Sequence, residues 1–123
     1  MDAVTIRTVM ALLLTISLEL LAYCFFIKRK IPKKERWVWV VFIIGLNLFT
    51  NPMAHFFYYF LSSYILSGFS WIITEFLVLL IEALLIHLVM RVTIKNSIIY
   101  SLILNGTSIV LGEYVWWGVY LLY

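Results

Sequence analysis

Apolar residues run along this chain in four long stretches rather than alternating with charges. Stretches of about 20 apolar residues match the roughly 30 Å hydrocarbon core of a bilayer. The pattern predicts helices at about 4–27, 37–61, 71–90 and 97–122. The first link is basic: Lys28, Arg29, Lys30, Lys33, Lys34 and Arg36 crowd around Pro32, which disfavours helix continuation. The second, Ser62 to Ser70, is uncharged and contains Gly68; the third, Arg91 to Asn96, is short and carries Arg91 and Lys95. The expected fold class is all-α: an antiparallel four-helix transmembrane bundle with a polar interior, forming one domain over 1–123.

Polar residues inside the spans recur at helical spacing, which gathers them into stripes. The first helix aligns Thr8, Thr15, Glu19 and Tyr23; the second aligns Asn47, Asn51 and His55, with Thr50 alongside. Glu75 and Glu82 share a face of the third helix. Ser101, Asn105, Ser108 and Gly112 form a stripe on the fourth, flanked by Glu113. Polar faces in a membrane turn toward neighbouring helices, so the four stripes are expected to meet in one interior. His87 lies off the Glu75–Glu82 face and is expected to snorkel or to contact the interface. Pro52 deprives the Leu48 carbonyl of its partner, so a kink is expected there, with Asn47, Thr50 or a water serving that carbonyl. Gly45, Gly106 and Gly112 are expected to allow close helix approach.

Composition agrees with this picture. Of the 123 residues, 65% are hydrophobic and 12% charged, too little polar surface for a soluble domain. Phe56, Phe57, Tyr58, Tyr59, Phe60, Trp71, Trp116, Trp117, Tyr120 and Tyr123 lie toward the end opposite the basic link, as an interfacial aromatic belt would. The net charge of +3 is concentrated in the first and third links. Positive charge favours the cytoplasmic side, so the basic loop is expected there, both termini outside, in a prokaryotic cytoplasmic membrane. The same loop is expected to contact anionic lipids. A nucleic-acid partner is not expected, because the basic residues form a short loop and not a folded basic surface. Cys24 is the single cysteine, which excludes an intrachain disulfide and a CxxC motif. No basic n-region with a cleavage site opens the chain, so the first span is expected to stay in the membrane.

The four glutamates within the spans are the most informative residues. An ionised carboxylate in hydrocarbon costs a few kcal/mol or more, and no intramembrane Lys or Arg accompanies Glu19, Glu75, Glu82 and Glu113. They must be protonated, hydrogen-bonded to neutral donors, open to water or bound to a cation. At about 1.5 Å per residue from each helix midpoint, His55, Glu75 and Glu113 fall in the outer half of the membrane. Glu19, Glu82 and Asn105 fall near the centre, with Asn51 between the two groups. His55, Glu75 and Glu113 would suit a divalent metal ion or a proton relay; Glu19, Asn51, Glu82 and Asn105 would continue the path inward.

HExxH, GxSxG and P-loop patterns are absent. Length and helix count are similar to those of small multidrug resistance transporters, dual-topology dimers with an essential glutamate in the first helix. The strong charge bias and the three further glutamates argue against membership. Asn47-Leu48-Phe49-Thr50-Asn51-Pro52, the Glu75–Glu82 pair, and Ser101 with Asn105, Ser108 and Gly112 resemble uncharacterised small four-helix prokaryotic membrane proteins, a resemblance that implies the fold alone. The leading expectation is binding or transport of a small cation, proton or divalent metal, by a homo-oligomer. Two alternatives stand beside it: an intramembrane metal-dependent enzyme acting on a lipid-like substrate, and a non-catalytic subunit of a larger membrane complex.

Overall fold

The computed structural model describes residues 2–122, except the side chains at 116, 119, 120 and 122. Trp116, Tyr120 and Tyr123 of the expected aromatic belt therefore lie outside the described side chains. Four helices form an antiparallel bundle: α1 (Ala3–Ala22), α2 (Arg36–Ser62), α3 (Ser67–Met90) and α4 (Ile94–Leu122). All four are long and apolar enough to cross a membrane. Each packs on its neighbour in sequence, and α1 closes the ring against α4.

The helix ends follow from local chemistry. Asp2 caps α1, its carboxylate accepting from the Thr5 amide at 2.7 Å, and the Thr5 side chain, then this amide, hold the Asp2 carboxyl below its ordinary range. Beyond Ala22 the first span continues as a π-helical turn, Tyr23–Ile27, closed by the Lys28 amide donating to the Tyr23 carbonyl. A 3-10 turn, Lys28–Lys30, follows. Arg36 then folds back, its Nε donating to the carbonyls of Lys28 at 3.1 Å and Ile31 at 3.2 Å, so the basic loop is tied to the start of α2.

The second link is shorter than the expected stretch from Ser62 to Ser70. Gly68 lies within α3, whose first turn begins at Ser67. At the third link Arg91 adopts a left-handed conformation, φ 55° and ψ 37°, unusual for a residue with a Cβ. His87 is half-buried near the end of α3, and its Nδ1 lies 2.6 Å from the Val92 carbonyl, where the Nδ1–H tautomer donates across the turn.

Three further expectations are corrected. α2 is continuous through Pro52, and what is corrected there is the partner of the freed Leu48 carbonyl: neither proposed neighbour serves it. Asn47 turns to the Ile43 carbonyl and Thr50 to that of Leu46, each one turn back. A Cβ on Gly45 or Gly106 would meet nothing within 4 Å, so neither marks a close approach; one on Gly112 would meet Leu18 at 3.9 Å, ordinary contact. Thr8 faces outward and bonds the carbonyl of Val4.

The apolar core sits at the basic-loop end. Trp39, fully buried, stacks on Tyr23 at 6.2 Å between ring centroids and meets Tyr100 edge-on at 5.7 Å. Each such pair contributes roughly 0.5–1.5 kcal/mol beyond burial. Ile27, Ile43, Ile86 and Leu104 pack around them, and the Tyr23 hydroxyl donates to the Arg36 carbonyl at 3.2 Å. Tyr23, expected on the polar stripe of the first helix, thus belongs to this plug.

Candidate functional site

Polar side chains from all four helices meet near the middle of the bundle. Glu82 of α3 is buried, and both its oxygens are served. Thr50 of α2 donates from Oγ1 to Oε1 at 2.8 Å, and Asn105 of α4 donates from Nδ2 to Oε2 at 2.6 Å. Ser101, one turn from Asn105, donates to the Leu79 carbonyl of α3 at 2.7 Å. Glu19 of α1 is equally buried but only half served. Asn47 of α2 donates to its Oε2 at 2.7 Å, while Oε1 has no hydrogen-bond partner among the described residues. Lipid chains are as apolar as the helix surfaces, so hydrogen bonds and close packing, not hydrophobic burial, join helices in a membrane. These two carboxyl groups tie α1 to α2, α2 to α3 and α3 to α4.

From this network a cavity of about 410 Å³ extends toward the end opposite the basic loop. Glu19, Glu75, Glu82 and Glu113 line it, with His55, Asn47, Thr50, Asn51, Thr74, Asn105 and Ser108; no Lys or Arg is among the described lining residues. Tyr58, Tyr59 and Trp71 lie at its outer end, where His55 and Glu113 are exposed. In the other direction the polar lining stops abruptly. One turn beyond Glu19 stands Tyr23, one turn beyond Asn47 is Ile43, and one turn beyond Glu82 is Ile86, all buried in the apolar plug. The cavity is therefore one-ended.

The structure brings all seven expected site residues to this one cavity: His55, Glu75 and Glu113 at its outer part, and Glu19, Asn51, Glu82 and Asn105 further in. It does not assemble the first three into a metal centre. Among the described residues, no three His, Cys, Asp or Glu side chains stand together closely enough to hold an ion. Their placement differs from that of the deep carboxyl groups: they come from three helices toward the mouth of the cavity, Glu75 half-buried and the other two exposed.

Sequence reasoning left Asn47 and Thr50 without a role at the carboxylates, although they are the donors to Glu19 and Glu82. It missed Thr74 altogether. Thr74 is 3% exposed, lines the cavity and leaves Oγ1 unpartnered among the described residues. A signal was present: Ser70, Thr74, Val78 and Glu82 repeat every four residues, one face of α3.

Compared with known proteins, the chain matches no family model, no curated protein and no solved structure.

Proposed function

We propose that the protein binds a small cation in this cavity and passes it across the membrane. Glu19 and Glu82 would be the deep carboxyl groups, with Asn51 and Asn105 beside them and Glu75, Glu113 and His55 toward the mouth. One observation carries the reading: four glutamates from three helices line a single cavity, with no Lys or Arg among its described lining residues. Uncompensated carboxyl groups at bilayer depth are costly and mark ion or proton paths. The proton is favoured over a divalent metal, because the ligand groups a metal needs do not gather.

The basic loop would face the cytoplasm and hold anionic lipid headgroups through Lys28, Arg29, Lys30, Lys33 and Lys34. The termini and the cavity mouth would then face outward. Passage would require the Trp39–Tyr23–Tyr100 plug to part, and a homo-oligomer would give it room to do so.

Proton flux into liposomes, followed with an internal pH-sensitive dye, tests the proposal. Reconstituted protein should dissipate an imposed pH gradient about tenfold faster than empty liposomes, and Glu19→Gln should return the rate to theirs; the size follows from losing an intramembrane carboxyl worth a few kcal/mol. Equal rates for protein and empty liposomes would remove translocation from the reading.

A further inference from the structure

Three oxygens stand in a row between α2 and α3. Thr50 Oγ1 lies 2.9 Å from the Leu46 carbonyl oxygen and 2.8 Å from Glu82 Oε1. Oxygen atoms at hydrogen-bond distance need a proton between them, because lone pairs that face each other repel. The row has two gaps and needs two protons. A carbonyl supplies none and a hydroxyl supplies one. Thr50 is 2% exposed and Glu82 1%, which closes the row to bulk water. The second proton has to come from Glu82.

The other oxygen of Glu82 fixes where that proton sits. Asn105 Nδ2 lies 2.6 Å from Oε2 and 3.0 Å from the Ser101 carbonyl. A carbonyl only accepts, so the amide turns its NH2 group, not its oxygen, toward Glu82. Oε2 meets a donor and is the accepting oxygen of the carboxyl group. We infer that Glu82 is a neutral carboxylic acid whose Oε1–H donates to Thr50, while Thr50 donates to Leu46. In this assignment the 2.8 Å bond has Glu82 as its donor. The titratable side chains that share the cavity with Glu82 are Glu19 of α1, His55 of α2, Glu75 of α3 and Glu113 of α4. Three are acids and His55 is exposed at the mouth, so no buried cation among the described lining residues favours an ionised Glu82. Glu82 is therefore a positioning residue: it holds α2 by a donated bond and α4 by an accepted one, and brings no negative charge to the deep end. Under the cation reading, on which this last step alone rests, the charge that attracts an ion falls to Glu19, Glu75 and Glu113.

Infrared difference spectroscopy of the protein in lipid, at neutral pH, tests the inference. Wild type minus Glu82→Gln should show the C=O stretch of one protonated carboxyl group and no carboxylate bands. Two further variants keep Glu82 in place and guard against a misfolded glutamine variant. Asn105→Leu should shift the carboxyl band to higher frequency, because the accepting oxygen loses its donor. Thr50→Val should shift it as well, because the Oε1–H group loses its acceptor. Carboxylate bands assigned to Glu82 overturn the inference, and so does a carboxyl band that neither substitution moves. The readout is independent of transport. A protonated Glu82 in protein that carries no proton flux would overturn translocation alone; flux with an ionised Glu82 would overturn this inference alone.

Discussion

Asn47 donates to Glu19 Oε2 at 2.7 Å, a side-chain hydrogen bond that joins α1 to α2 in the middle of the bundle. Its removal should be felt as a pair. In a double-mutant cycle of Asn47→Leu and Glu19→Gln, thermal denaturation in detergent should give a coupling energy of about 1 kcal/mol, the scale of interhelical hydrogen bonds in membranes. Strictly additive effects would show that the contact holds nothing.

Glu82 should tolerate glutamine but not leucine. Thr50 Oγ1 lies 2.9 Å from the Leu46 carbonyl and 2.8 Å from Glu82; with its one proton given to Leu46, its oxygen accepts from a glutamine NH2, while Asn105 donates to the glutamine oxygen. Glu82→Gln is expected to change stability by less than about 1 kcal/mol, and Glu82→Leu to lower it by roughly 1–3 kcal/mol, because Thr50 and Asn105 lose their shared acceptor. Unfolding midpoints of the two variants decide this.

The one-ended cavity predicts one-sided access. In a Cys24→Ser background, which removes the exposed native thiol, Ala54→Cys places a thiol on the cavity wall. A membrane-impermeant maleimide should label it only from the side opposite the basic loop. Adding Trp39→Ala should open the plug and admit label from the loop side. The same change should cost about 3–5 kcal/mol, as large-to-small core substitutions do.

Arg91 stands in the left-handed region, where a side chain costs of order 1–3 kcal/mol. Arg91→Gly should therefore raise the thermal midpoint, by the equivalent of about 1 kcal/mol. The His87–Val92 contact should survive the change.

Much of this was legible in the sequence. Apolar run lengths located the spans to within a few residues, because the bilayer sets helix length. Helical spacing placed Glu19, Asn47, Glu82 and Asn105 on inward faces, because a helix presents residues four or seven apart together. Which donor serves which carboxylate was not legible. Thr50 reaches Glu82 on the next helix and not the carbonyl freed by Pro52, and that choice depends on rotation and depth of two helices at once. Tyr23 misled for a related reason: its spacing from Glu19 puts it on the polar face, yet one turn deeper that face meets Trp39 and the ring stacks. His55 and Glu113 have the right chemistry for a ligand set, but both are exposed at the mouth of the cavity.

The π-helical turn has a consequence for how the first span is built. Such a turn spends one residue more than the α-helix around it. Here the surplus lies among Cys24, Phe25 and Phe26, all facing outward, while Tyr23 and Ile27 keep their places in the plug. Deleting Phe25 would shorten the Lys28-to-Tyr23 bond to ordinary α-helical spacing without shifting Glu19 or the residues before it. The span thus carries a spare position, where chain length can change while the acidic chamber keeps its frame.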